Sequence, residues 1–455
     1  MKNLRLLAVL PLMTIGLWAA ESLTTPEQLY PDLDAILKKA VSQSPNMLKR
    51  ALDLEMAENN RINARAGLLP NVSASASYFK SNDKLSYDYD NPALNTSNSF
   101  TVTKTPYAVS VSQPLYHWGA LKNNARIGDI QQSIAQGQYR EGYRVLAQSL
   151  RAEYLRLIVA KLSAVRARYN LNIASDTARQ DEERLAKKVI SEADIFPVRI
   201  NLERAKIGAE RTEFDLQYAV RSFARLAGLG NEFTENSIPD SIPELSSNAS
   251  GLNHLLSGFL AQNDPVSTEA ATLRMQIQVE NLNYRINKTR LLPKLGFSAG
   301  LSQDEQNNIY GSGIKYNVAS QYAGISVYWN LFDGFSAKAA ASSSLARRRQ
   351  LESDYRQLTE RLAMDAQNQV KQIGFAEREM SITNQLLNSV EGSLRTKKEE
   401  FSRGVRSEAE VNQAQLNLYD GQINAYNARR AYLLSIGDFM GTVLDDPVLA
   451  NLSDK

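Results

Sequence analysis

Two short segments concentrate the side chains whose types and spacing could do chemistry. Val189-Ile190-Ser191-Glu192-Ala193-Asp194 returns later in the chain as Val405-Arg406-Ser407-Glu408-Ala409-Glu410. In both, a serine precedes an acid by three positions. At the start of a helix that spacing lets the hydroxyl accept from the third amide while the carboxylate accepts from the serine amide. Ser191 with Asp194, and Ser407 with Glu410, therefore read as capping boxes. Just before them, Lys188 and Gly404 stand where the preceding helix ends. Glycine adopts the left-handed conformation of a helix end freely and lysine does not, so the two turns are expected to differ. Pro197, about six residues into the returning helix, is expected to kink it.

Reaction chemistry is not visible elsewhere. His117 and His254 are isolated from each other and from any carboxylate cluster, and the chain has no cysteine. That removes disulfides, thiolates and a cysteine-linked lipid anchor. No nucleophile elbow, phosphate loop or metal-ligand spacing occurs, so neither an enzyme nor a metal or cofactor site is expected. The 52 basic and 49 acidic residues nearly cancel and are interspersed, which excludes the concentrated basic face of a nucleic-acid binder.

The elements that carry the two segments are themselves repeated. Arg61-Ile62-Asn63 with Leu68-Leu69-Pro70 returns as Arg285-Ile286-Asn287 with Leu291-Leu292-Pro293. Val109-Ser110-Val111, Leu115-Tyr116 and Gly119 return as Ile325-Ser326-Val327, Leu331-Phe332 and Gly334. The order is kept at a spacing far longer than that of a solenoid repeat, so the chain is a duplicated unit. Each half opens with helix. Leu33, Ile36, Leu37 and Ala40 keep helical spacing. The Leu-Leu-Pro stop is followed by a change of period from 3.6 to 2. Val72, Ala74 and Ala76 alternate with Ser73, Ser75 and Ser77, and Leu295, Phe297 and Ala299 alternate with smaller residues. Strands are expected at about 70–80 and 105–116, and again at about 293–303 and 321–332. Ser81–Asn98 and the stretch near Gln303–Lys315 are expected as loops. The serines, with Ser298 and Ser326, should line water, and Val72, Ala74, Leu295 and Val327 should face lipid. After each strand pair comes a run of about 70 residues with an apolar stripe, on the order of 100 Å as a helix. A helix of about 35 residues returns from it.

The expected organisation is a signal peptide over 1–20, a first repeat over 21–230 with its hairpin at about 118–228, and a linker over 231–251. A second repeat covers 252–442 with its hairpin at about 334–440, and a tail covers 443–455. The first segment has Lys2 and Arg5 flanking an apolar run too short to span a bilayer. Four amphipathic strands cannot close a barrel, and open strand edges are not tolerated in hydrocarbon. Two copies, about eight strands, give a filled barrel; three, about twelve, are the smallest assembly expected to leave a channel. Tyr107, Trp118, Tyr316, Tyr322, Trp329 and Phe332 lie near strand ends, where a membrane girdle of aromatics is expected; core packing fits Trp118 as well.

The Leu-Leu-Pro junctions, the QPLYHWG and WNLFDGFSAKA segments, the duplication and the VxSEA turns together resemble the TolC-type outer-membrane channel family, from about Leu33 to Gly441. The resemblance implies a mixed, mainly α fold. In it, a trimeric outer-membrane β-barrel with four strands per protomer is continuous with a long periplasmic α-helical coiled-coil barrel. It implies a homotrimer in the outer membrane of a Gram-negative bacterium, spanning into the periplasm. Such a channel works passively with a periplasmic adaptor and an inner-membrane transporter of ABC or RND type, in type I secretion or multidrug efflux. A periplasmic adaptor or coiled-coil scaffold is the alternative; adaptors generally carry one long hairpin and this chain carries two.

By the same resemblance, Asp194 and Arg406 match a charged latch that closes the periplasmic entrance, and Glu410 matches a cation-binding ring. Gln413 stands where the family has a second acid. Three Glu410 carboxylates around a narrow axis would repel one another and raise their own pKa values. Lys188, Val189, Ser191, Gly404, Val405 and Ser407 fall on the tips that dock the adaptor. The residues alone leave simpler roles open: a cap partner for Glu410, and solvated surface charges for Asp194 and Arg406.

Overall fold

The computed structural model describes residues 23–246, 249–262, 267–308, 312–444 and 446–452. The expected signal peptide, 1–20, lies outside them. Three helices, α1 (Pro26–Leu29), α2 (Pro31–Gln43) and α3 (Pro45–Ala66), precede four strands, β1 (Asn71–Ala76), β2 (Phe79–Tyr87), β3 (Thr96–Lys104) and β4 (Tyr107–Tyr116). The long hairpin α4 (Ala120–Ala186) and α5 (Glu192–Ala227) follows, then α6 (Ala249–Leu260) and α7 (Thr268–Lys288). Two strands, β5 (Lys294–Asn307) and β6 (Lys315–Tyr328), lead into the second hairpin, α8 (Ser336–Ser402) and α9 (Glu408–Val443). The duplication is exact in length: α4 and α8 both have 67 residues, and α5 and α9 both have 36. Pro197 is accommodated within the continuous α5.

The chain divides into a helical unit (residues up to 50, 140–267 and from 358) and a sheet-bearing unit (51–139 and 268–357). In the helical unit, α8 buries Ala366, Ile373, Met380, Leu387 and Leu394, one residue in seven. That interval is the seam of a coiled coil, because a 3.5-residue repeat keeps one line of side chains against the partner. Phe439, Tyr432 and Ile436 of α9 complete this core. Arg151 of α4, 1 % exposed, joins segments that the sequence gives no reason to associate. It makes two hydrogen bonds of 2.8 Å to the Asp446 carboxylate and pairs with Glu27 of α1. A charge this deep is tolerated because its guanidinium is met on both sides by carboxylate oxygens. The segment expected as a linker, 231–251, is held down where it is described. Ile238 and Ile242 are buried, Lys161 donates to the Ile238 carbonyl at 2.8 Å, and Arg429 donates to the Ile242 carbonyl.

In the sheet-bearing unit all strand pairs are antiparallel. β1 pairs β4, β2 pairs β3, and β5 lies between β4 with β3 on one side and β6 on the other. β2 continues β1 and β3 continues β4. The partners advance three residues on each strand between Ala76↔Tyr107 and Phe79↔Lys104, so no residue is gained or lost at the interruption. Ser77 N bonds the Pro106 carbonyl within it, at 3.0 Å. The result is four long extended stretches. The expected loop Ser81–Asn98 is therefore corrected: β2 and β3 occupy most of it, paired over nine residues. Their Lys, Asn, Ser and Thr content hid the strands, yet backbone pairing does not require an apolar face. Likewise β5 runs to Asn307 where a loop was expected from Gln303, and β6 ends at Tyr328, leaving Trp329, Leu331 and Phe332 beyond it.

Register fixes two faces, since alternate residues point to opposite sides. Val72, Val111, Ala299 and Ala323 form one rung of an apolar face, and Ser73, Ser110, Gly300 and Tyr322 form a rung of a serine face. The Ser73 and Ser110 hydroxyls are 2.9 Å apart on the latter. The apolar face is bare, with Val72 66 % and Ile325 70 % exposed.

Candidate functional site

The first turn forms because α4 runs out at Ala186 and the chain reverses in five residues before α5 begins at Glu192. Lys188 N donates to the Leu185 carbonyl at 2.8 Å and Val189 N to the Arg184 carbonyl at 2.9 Å. At the second, Gly404 N donates to Phe401 and Val405 N to Glu400, both at 2.9 Å. These are the paired bonds of a left-handed helix end. The φ angles are +56° at Lys188 and +73° at Gly404. The expected difference between the turns is thus corrected: lysine adopts the glycine conformation, at a cost of roughly 1–2 kcal/mol for its Cβ. Both turns push a bare valine outward, Val189 and Val405.

The caps differ more than the turns. At the second, Ser407 Oγ accepts from Glu410 N at 3.3 Å, while Glu410 Oε2 accepts from Ser407 N and from the Ser407 hydroxyl, both at 3.0 Å. At the first, Asp194 Oδ2 accepts from Ser191 N at 2.9 Å and from the Ser191 hydroxyl at 2.7 Å. The first turn is crossed by Arg199 of α5, between Glu182 at 3.3 Å and Glu192 at 3.4 Å, and the second by Arg406. Its Nε donates to Glu400 Oε2 at 2.9 Å and its Nη1 to Glu410 Oε1 at 2.7 Å. Glu400 was not singled out in the sequence; its signal was its place six residues before Arg406, across the reversal.

Within the protomer the structure does not bring Asp194 and Arg406 together. Each is engaged inside its own turn. Glu410 also departs from expectation. The Ser407 backbone amide, then Arg406 and the Ser407 hydroxyl, stabilise its anion and hold its carboxyl down at about 2. The expected upward shift is not a property of the protomer. Asp194 is lowered too, by the Ser191 hydroxyl and amide. Gln413 bonds Asn417 at 2.9 Å and takes no part in the charged cluster.

The girdle aromatics separate by face. Tyr107 opposes Gln303 on the apolar face and donates to its side chain. Tyr322 opposes Gly300 on the serine face, where a Cβ on Gly300 would come within 2.8–2.9 Å of its ring. Tyr316 opposes Gln306 on that same face. Tyr322 and Tyr316 are therefore corrected: side-chain parity places them opposite the apolar surface that a membrane would wet. Trp118, with φ +54°, donates from Nε1 to the Pro293 carbonyl at 2.6 Å. Trp329 donates to the Leu291 carbonyl at 3.0 Å. The first repeat holds its own junction the same way, through Gln113 Nε2 to the Leu68 carbonyl at 3.0 Å. Phe332 is exposed and meets Phe335 edge to face at 5.3 Å.

The chain matches the family described as outer membrane efflux protein over residues 36–229 and 268–436, well over half its length. No curated protein sequence matches it. Among solved structures it is similar to the outer membrane protein VceC from Vibrio cholerae. The identity is 15% and the TM-score 0.61, covering 91% of this chain and 96% of that one. The CmeC outer membrane channel of Campylobacter jejuni gives 13% identity and a TM-score of 0.67 over 93% and 88%. The MtrE outer membrane channel of Neisseria gonorrhoeae, in its open state, gives 12% and 0.62 over 91% and 89%. These likenesses establish the fold, and the family match establishes membership. With its duplicated strands and equal-length hairpins, the chain belongs to the outer membrane efflux protein family, whose members are channels of the outer membrane rather than enzymes.

Proposed function

We propose that three copies of this chain close one barrel of about twelve strands and act as a passive export duct. Substrates are handed to it by a periplasmic adaptor bound to an inner-membrane transporter of ABC or RND type. The observation that supports this is the sheet's pair of open edges. Among the described residues, β1 and β2 pair only on one side, as does β6. With an apolar face bare on β1 and β6, their edges are tolerable in hydrocarbon only if another chain pairs with them. The adaptor docks on the tips, where Val189 and Val405 stand exposed beside Lys188, Ser191, Gly404 and Ser407. Asp194 and Arg406 form the latch between neighbouring hairpins, exchanging the local partners of Arg406 for the acid of the next turn. Glu410 supplies the charge that draws cations to the closed entrance. Native mass spectrometry of the detergent-extracted protein tests the assembly. A trimer is expected, and a stable monomer or dimer as the sole species overturns the shared barrel.

A further inference from the structure

The two faces of the sheet change character partway along the first hairpin. Near the helical ends of the strands, the apolar face carries Val72, Val109, Val111, Leu301, Ile325 and Val327. Register continues unbroken through the interruption after Ala76, so the same face can be followed into β2 and β3. There it carries Lys80, Asn82 and Lys84, opposite Thr103, Thr101 and Ser99. The serine face changes in the opposite sense. Beyond Ser73, Ser75 and Ser77 it carries Phe79, Leu85 and Tyr87 on β2, and Val102 and Phe100 on β3, each opposite a polar residue (Lys104, Asn98, Thr96, Ser81 and Asp83 in turn).

The second hairpin marks the same level. On β5 the apolar face runs Leu295, Phe297, Ala299 and Leu301, then becomes Gln303, Glu305 and Asn307. Leu295 to Gln303 is about 27 Å of strand, or about 20 Å of height at a 35–45° tilt, close to the ~25 Å apolar band of outer-membrane barrels. Above that level the outward face meets water, which removes any reason for it to be apolar. What the outer environment does not explain is why five large apolar or aromatic side chains appear on the inward face there, one in every rung.

The hairpin is also longer than its neighbour. β5 last pairs with β3 at Thr103↔Asn307, so residues 96–102 of β3 and their partners on β2 stand past the end of β5. That ribbon is about 23 Å long. A barrel of twelve strands spaced ~4.8 Å apart and tilted ~40° has a backbone radius of about 12 Å. The ribbon therefore reaches the axis with length to spare. Its base is steadied by the second hairpin, where Asn308 Nδ2 donates to the Thr101 carbonyl at 2.9 Å, and Val102 is already buried there. Toward the tip, Tyr87 is 53 % exposed, leaving apolar surface without cover in the single chain.

We infer that the β2–β3 ribbons of three copies lean over the extracellular mouth and pack the apolar faces carrying Leu85, Tyr87 and Phe100 against one another, constricting the exit. The occupant of each ribbon's face is thus the same ribbon of another copy. This rests on the trimeric reading above. The inward turn of the apolar face, its reach and its position past the membrane band all follow from register.

The chain has no cysteine, so single cysteines report cleanly. In the full-length protein, Leu85→Cys should give covalent dimers on denaturing gels after mild oxidation, because a disulfide requires Cα atoms within about 7 Å. Lys84→Cys, on the opposite face, should give none, yet should react in intact cells with a membrane-impermeant maleimide. The triple variant Leu85→Ser, Tyr87→Ser, Phe100→Ser should raise single-channel conductance in planar bilayers about two-fold or more, as expected when a side-chain constriction opens. Native mass spectrometry of the same samples separates the outcomes. Absence of a trimer removes the assembly itself. An intact trimer in which Lys84→Cys cross-links as readily as Leu85→Cys, or in which Leu85→Cys does not cross-link, overturns the constriction alone. So does an intact trimer whose conductance is unchanged by the triple variant.

Discussion

The two hairpin turns share a backbone and differ in charge. Both close through the same two hydrogen bonds, and both carry a residue with positive φ. The first has Arg184 and Ile190 where the second has Glu400 and Arg406. The second therefore binds its reversal through Arg406 in the turn itself, whereas the first does so through Arg199, two turns into α5, between Glu182 and Glu192. The duplication has kept the geometry of a reversal, which main-chain bonds specify, and has let the side chains at its rim diverge.

The largest expected effect tests whether that divergence serves gating. Arg406→Ser should raise single-channel conductance about two-fold or more, by the logic of a charged constriction, while Ile190→Ser should leave it unchanged. Equal responses would make the turns functionally equivalent. Next is the backbone. Gly404→Val forces a β-branched residue to positive φ and should destabilise the second turn by about 1–3 kcal/mol. Lys188→Gly should stabilise the first by about 1 kcal/mol. Amide exchange of the flanking helix turns measures both, since local opening is read without unfolding the whole assembly. Ser407→Ala should cost about 1 kcal/mol in the first turn of α9 by the same measurement. Ser191→Ala should cost less, because Ser407 accepts from the Glu410 amide and Ser191 makes no such cap hydrogen bond.

The smallest effect concerns pH. Because the folded turn holds Glu410 below its ordinary value, the stability this contributes is complete above about pH 4.5 and is lost as pH falls toward about 2. Carboxyl-detected NMR of Glu410 should show its midpoint near about 2. Arg406→Ser should move it upward only partway, since the Ser407 amide is the larger cause.

How much of this was legible in the sequence depends on whether the signal was local. The hairpins, the strand register at Val72–Ser75 and the capping pairs follow from residues a few positions apart. Tyr322 was also legible, for it sits four residues before Ser326 and so shares its face; proximity to a strand end was the wrong criterion. The β2–β3 strands were hidden because one of their faces is polar throughout, which composition mistakes for a loop. Arg151, Glu27 and Asp446 come from three distant parts of the chain. Nothing in any one segment announces that the other two will meet it.

The equal lengths of the paired helices carry a consequence for how such a chain can change over time. Each residue removed from a helix retracts its tip by about 1.5 Å, and a heptad by about 10 Å while keeping the seam in phase. A deletion in α4 alone would leave its turn short of the turn after α8, and one surface could no longer present both valines to a common partner. Reach is therefore a quantity inherited jointly: lineages can lengthen or shorten it only through matched heptad events in two places some two hundred codons apart. Single-copy length variants should be scarce among descendants of this chain, even where substitutions along the same helices are freely accepted.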